Sequence, residues 1–299
     1  GALLAQDGDG NAYNTAVGFE AGVAMTTGTE NTIIGGLAGD ALTTGSQNIA
    51  IGYAALGSED TGSRNIAIGR GALGALNNDA NSYNIGIGHS AGAAVTTGIR
   101  NVLIGGLAGD ALTTGGNNIA IGYEALTTED GDGRNIAIGT NSLQNLNAGS
   151  DAYNVAVGFA SGAAMTTGVQ NTIVGGQAGD ALTTGSYNTV FGYEALTTED
   201  AHGLNTAIGY QTLRVQDAGA NAINVAVGHQ AGLAVTDGVQ NTLIGGLAGD
   251  ALTTGDNNII IGYNAAASAV GVDNTTVIGT GTTTNAIVHG LRKLVNATA

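Results

Sequence analysis

The chain has 299 residues, 53 of them Gly and none Pro, Cys or Trp, and 23 acids against seven Lys and Arg give a net charge of −16. Zero Cys excludes disulfides, thiolate metal sites and cysteine nucleophiles, and so acidic a surface is repelled by nucleic-acid phosphates and anionic membranes. No apolar run approaches the roughly 20 residues that span a bilayer as a helix.

In chain order, the opening segment GALLAQDGDGNAYN at 1–14 aligns with GALGALNNDANSYN at 71–84. The chain therefore begins inside a repeat and lacks an initiator Met, as expected of a piece of a longer protein. Short segments of the NIAIG or NTIIG type follow, closing on Gly18, Gly35, Gly52 and Gly69, then Gly88, Gly105, Gly122 and Gly139, and onward to Gly279, with spacings of 17, 17, 17 and 19 that repeat. Asn14, Asn84, Asn154 and Asn224 each begin a block of 70 residues. LAGDALTTG recurs at 37–45, 107–115 and 247–255, so the block is the unit of duplication.

Units this short cannot bury an apolar face alone and must stack on their neighbours. The predicted fold is all-β, an elongated β-solenoid or β-roll of about sixteen 17–19-residue coils in four 70-residue blocks. The solenoid is predicted over residues 1–280, with 281–299 as a C-terminal tail or the start of a neck. Coils rising by about 4.8 Å each predict a rod on the order of 75 Å.

The fourth position of each segment is large and apolar. Alternation along a strand puts it on one face with the second position, and that face is assigned to the coil interior. The expected core is therefore Val17, Ile34, Ile51, Ile68, Ile87, Ile104, Ile121, Ile138, Val157, Val174, Phe191, Ile208, Val227, Ile244 and Ile261. The third position points the other way and is also uncharged and apolar, as in Ala16, Ile33 and Leu103. Strands apolar on both faces are covered on both, and self-association into a cyclic oligomer, a homotrimer, is the economical second cover. Small residues such as Ala21 and Ala38 mark tight corners, Gly28 and Gly45 are expected at positive φ, and aligned Asn31, Asn48 and Asn65 are expected to form amide ladders.

NIAIGYEALTTEDGDGRNIAIG and NTIIGGLAGDALTTGSQNIAIG resemble the NTAxGYxAL…TTG…NTAxG repeats of bacteriophage tail fibres. They are more distantly similar to repeats in YadA-like trimeric autotransporter adhesin heads. The resemblance, over roughly residues 2–280, implies a homotrimeric left-handed β-roll with a role in surface attachment.

Candidate chemistry is sparse. Asp-Gly-Asp turns at Asp7, Asp9, Asp130 and Asp132 offer oxygen ligands of the kind Ca²⁺ takes, against the plain alternative of solvated turns, which also covers Glu59–Asp60, Glu129–Asp130 and Glu199–Asp200. No other cofactor is expected. Asp40, Asp110, Asp180 and Asp250 recur once per block and stack too far apart, roughly 19 Å, for paired-carboxylate glycoside hydrolysis, which needs about 5–9.5 Å. His89 and His229 share a slot with Phe19 and Phe159 and read as aromatic space-fillers, while His202 has no recurring partner. Tyr53, Tyr123, Tyr193 and Tyr263 form a once-per-block row that would stack sugars if exposed and would be structural if packed at a corner.

The expected function is that of a non-enzymatic, extracellular fibre or adhesin segment, on a virion tail or a bacterial surface, that spaces or presents a receptor-binding tip. Its expected partners are copies of itself and, through the tip, a host-cell receptor or glycan. A monomeric ice-binding solenoid with Thr rows at Thr26–Thr27 and Thr43–Thr44 is one alternative, and a β-helical polysaccharide depolymerase is another.

Overall fold

The computed structural model describes residues 1–6, 11–131 and 133–280. Sixteen three-residue strands, β1 (Thr15–Val17) to β16 (Thr276–Ile278), form at the repeated segments. They make one sheet in sequence order, each strand parallel to its neighbours, so the chain is a β-solenoid of about 15 turns. Between β3 (Ile49–Ile51) and β4 (Ile66–Ile68) the register pairs Ile49 with Ile66, Ala50 with Ala67 and Ile51 with Ile68. The two extra residues of every fourth coil leave this untouched, since Ile66 pairs with Ile85 of β5 (Ile85–Ile87). They are absorbed on the far side, where Ser63 bridges Asn81.

The interior assignment is reversed. The middle residue of each strand faces inward, and Ile33, Ala50, Ala67, Leu103, Ala120 and Ile173 are completely buried. The fourth-position residues lie on the outer face: Val17 is 58% exposed, and Ile34, Phe191, Ile208 and Ile244 are also exposed. Ile51, Ile68, Ile87, Ile104, Ile121, Ile138, Val157, Val174, Val227 and Ile261 share that face and are half-buried. The physical reason is volume. A 17-residue coil encloses a narrow cross-section, already occupied by the corner alanines Ala21, Ala38, Ala55 and Ala72 and by Leu42, Leu56, Leu73 and Leu76, all fully buried. One inward side chain per strand completes that filling, Ala in many coils and Ile or Leu beside a glycine corner such as Gly39 or Gly109, and an unbroken column of isoleucines beside the corner leucines would not fit at close-packed density.

The corners depend on left-handed backbone. In the third coil the anchor Gly52 has φ 131, while Ala54, Leu56 and Arg64 have φ 52, 53 and 66. Non-glycine residues there cost roughly 1–2 kcal/mol each, offset by hydrogen bonds that run from coil to coil, such as Ala54 N to Gly36 O at 3.0 Å and Leu56 N to Ala72 O at 3.0 Å. Gly28 and Gly45 do not carry the positive φ expected of them. Their glycine is required by space instead, because a Cβ on Gly45 would meet Gly62 O at 2.4 Å.

Buried asparagines tie each strand to the next. The backbone N–H of Asn48 donates to Asn31 Oδ1 at 2.9 Å, and that of Asn65 donates to Asn48 Oδ1 at 2.9 Å. The Asn48 Nδ2 donates to Gly62 O at 2.9 Å. The Asn48 side-chain amide therefore bonds both toward the following strand and across to the turn, satisfying groups that the narrow interior shields from water.

Candidate functional site

Outward-facing positions of the sheet make a continuous apolar strip. Its two columns are the second positions, such as Ile49, Ile66, Ile85, Val102, Ile119 and Ile136, and the fourth positions named above, none of them buried. Fifteen strand spacings give it a length of roughly 72 Å. Among the described residues nothing packs over it.

Immediately beyond each anchor glycine runs a column of exposed side chains. Phe19 is 70% exposed, Phe159 60% and Tyr263 74%, and Tyr53, Tyr123, Tyr193 and Tyr210 are also exposed. The once-per-block tyrosines are thus on the surface, and His89 and His229 stand exposed in the same column rather than filling the interior. Tyr193 stacks on Tyr210 with centroids 5.9 Å apart, and Tyr210 stacks on His229 at 5.2 Å, each pair inclined by 13°. The Arg70 guanidinium lies 5.8 Å from the Tyr53 centroid. Ring faces in this stacked run therefore look along the rod, with their edges to solvent. A parallel column of carboxylates and amides accompanies it. Gln211 Nε2 donates to Glu194 Oε2 at 2.8 Å, and Tyr193 Oη donates to Gln177 Oε1 at 3.3 Å. A hydrogen bond to the Glu124 carboxylate holds the Tyr123 hydroxyl above its ordinary pKa.

The acidic turns differ from the solvated loops expected of them. Glu59, Glu129 and Glu199 are fully buried, in the interior slot that Met25, Leu42 and Leu76 fill in other coils. Glu59 Oε1 accepts from Gly62 N at 2.7 Å and Oε2 from Asn78 N at 3.2 Å, and burial raises its pKa above the ordinary value. Of the Ca²⁺ candidates, Asp130 is exposed, its backbone carbonyl accepting from Thr113 Oγ1 at 2.7 Å, while Asp7, Asp9 and Asp132 lie outside the described residues.

His202, without a recurring partner in the sequence, has one in space. Glu199 Oε1 accepts from the His202 backbone N–H at 3.1 Å and lies 3.3 Å from His202 Nδ1. Glu199 Oε2 accepts from Gln216 Nε2 at 3.0 Å. Glu199, Asp200, His202 and Asp217 place one ligand atom each within 4.8 Å of one another. The signal in the sequence was Gln216, which stands where Leu76 and Leu146 stand in the preceding blocks; a glutamine in a leucine column marks a buried polar partner.

The once-per-block aspartates are half-buried. Desolvation raises the carboxyls of Asp110 and Asp180, and the charges of Glu124 and Glu194 add to it. An open pocket at the last coil, lined by Asn264, Ser268, Thr276 and Thr280, contains no titratable side chain. The first Thr of each pair is committed to the backbone, as in Thr43 Oγ1 to Asp60 O at 3.0 Å, whereas Thr27, Thr44, Thr97 and Thr114 are exposed. No family model, no curated protein and no solved structure matches the chain.

Proposed function

We propose that this chain is a non-enzymatic fibre or adhesin segment, extracellular on a virion tail or a bacterial surface, that associates with copies of itself as a trimer and spaces or presents a receptor-binding tip. The observation that carries the reading is the uncovered strip of Ile, Val and Thr along the whole outer face of the sheet. At roughly 72 Å by about 10 Å its footprint is on the order of 700 Å², close to the roughly 800 Å² per partner of a stable interface. A parallel, in-register face repeats identical chemistry at every level, so copies related by an axis along the rod would make the same contact from end to end. Polar flanks, with Gln47 and Arg64 on the strand-entry side, would form the rim.

Light scattering tests this directly. A solution mass three times 29.1 kDa supports the trimer; a mass of 29.1 kDa at micromolar concentration overturns it and leaves the flat face to some other ligand.

A further inference from the structure

The aromatic column is interrupted by glycine once per block, and always in the same setting. Phe19, Gly36 and Tyr53 occupy successive levels, as do His89, Gly106 and Tyr123, then Phe159, Gly176 and Tyr193, then His229, Gly246 and Tyr263. The slot itself does not demand glycine. Arg70, Thr140 and Tyr210 occupy it in other coils, and these four glycines have no positive φ to explain them.

We propose that these four notches bind pyranose rings of a neutral, extended polysaccharide. Each notch has an aromatic ring above and below and a glycine floor. No backbone crowds the floor, and the neighbouring tyrosine leans over it: a Cβ on Gly36 would find Tyr53 Cδ2 at 3.7 Å and the Phe19 carbonyl at 3.9 Å, while one on Gly106, Gly176 or Gly246 would touch the Cδ2 of Tyr123, Tyr193 or Tyr263 at 3.4 Å. Walls two strand spacings apart, about 9.6 Å, leave at most about 6 Å once a ring's van der Waals thickness of roughly 3.5 Å is removed, which is room for one sugar ring and not two. The ring faces turned away from the glycines are already in use, Tyr53 against Arg70, and Tyr193 and His229 against Tyr210. For these three rings it is the face toward the notch that is left for the C–H face of a sugar.

Beside the walls stand hydroxyl-binding groups, among them Gln177, Glu194 and Glu124. Carboxylates at the notches and the net charge of −16 select a neutral glycan over a polyanion. Successive notches lie four coils apart, roughly 19 Å, so one long chain can engage several and gain avidity. Each notch is built from a single chain and does not depend on self-association.

Isothermal titration with cellohexaose, mannohexaose and maltohexaose, and with a galacturonic acid hexamer as the acidic probe, tests the proposal on the full chain. Expected is saturable binding of at least one neutral hexamer, weakened at least tenfold when all four floors are filled (Gly36→Thr, Gly106→Thr, Gly176→Thr, Gly246→Thr), with melting temperature unchanged. Thr140 in the same slot shows that threonine suits this backbone. Phe159→Ala with Phe19→Ala, which removes exposed walls, is expected to weaken binding by a second route. No binding of any neutral hexamer at millimolar concentration, preference for the acidic one, or binding indifferent to the filled floors overturns the proposal. A fall in solution mass on filling the floors also overturns it, because the occupant would then be a side chain of a neighbouring copy.

Discussion

Gly39 and Leu42 meet inside one coil, where the leucine, with the large strand residue Ile33 on its other side, leaves no room for a side chain at the corner. A Cβ on Gly39 would lie 3.4 Å from Ile33 Cδ1 and 2.9 Å from Leu42 Cδ1. One coil on, the exchange is reversed: Ala50 stands in the strand and Leu56 at the corner, both fully buried. Between these two coils a large strand residue is traded for a large corner residue; where both are small, as at Gly86 and Gly92, side chains of the adjacent coils lean in, with Leu103 Cδ1 at 2.6 Å and Leu73 Cδ2 at 2.9 Å from a Cβ on Gly92, which is how a close-packed core tolerates variation.

Gly39→Ala is expected to destabilise the chain by about 1–3 kcal/mol through overpacking. Ile33→Val in the same chain should recover part of that loss. Chemical denaturation of the two single variants and the double variant checks it; strictly additive effects would deny that the two residues share space.

Asn48→Ala removes the acceptor of the Asn65 N–H and the donor to Gly62 O. Both partners remain buried, so a loss of about 2–4 kcal/mol is expected. Hydrogen exchange should show the Asn65 amide losing protection first. An unchanged exchange rate there would mean that water replaces the side chain.

Inner and outer strand positions should respond in opposite ways. Ala120→Asn places an amide in the interior, where Ala120 is fully buried, and should lower stability by about 2–4 kcal/mol. Ile121→Lys with Ile138→Lys alters only the outer face and should leave far-UV circular dichroism intact while reducing the solution mass toward 29.1 kDa. Unfolding by the lysine pair, with Ala120→Asn tolerated, would reverse the assignment of the two faces.

Stability should depend on pH through the half-buried aspartates. Burial raises the Asp180 carboxyl above its ordinary 3.8, with Glu194 nearby adding to the effect. The folded state thus holds this proton more tightly than the unfolded state. Its stabilising contribution is complete below 3.8 and is lost as pH rises through the higher folded value. Asp180→Asn should therefore melt above the parent at pH 7, with the gap closing on acidification toward 3.8. A gap independent of pH would remove the charge of Asp180 as its cause. Glu59 and Asp110 shift in the same direction, so their stabilising contributions also grow as pH falls, while Glu194, held below its ordinary value by hydrogen bonds from Gln211 and Tyr193, works against them.

The period, the strand positions, the parallel in-register stacking and the corner alanines were all legible in the sequence, because a 17- or 19-residue repeat leaves a short coil no other way to bury apolar side chains. Which strand face looks inward was not legible. Alternation fixes that Ile49 and Ile51 share a face and that Ala50 takes the other, but with both faces apolar the pattern is the same whichever is turned in. The choice was made by the volume left inside the coil after Ala55 and Leu56 take their places, a quantity that exists only once the corners close. Tertiary structure likewise put the Glu59 carboxylate in a slot that leucine fills elsewhere, where the Gly62 and Asn78 amides meet it. An acid between Ser58 and Asp60 in a turn gives no local sign of that, since its hydrogen-bond partners come from the turn's own fold and from the next coil.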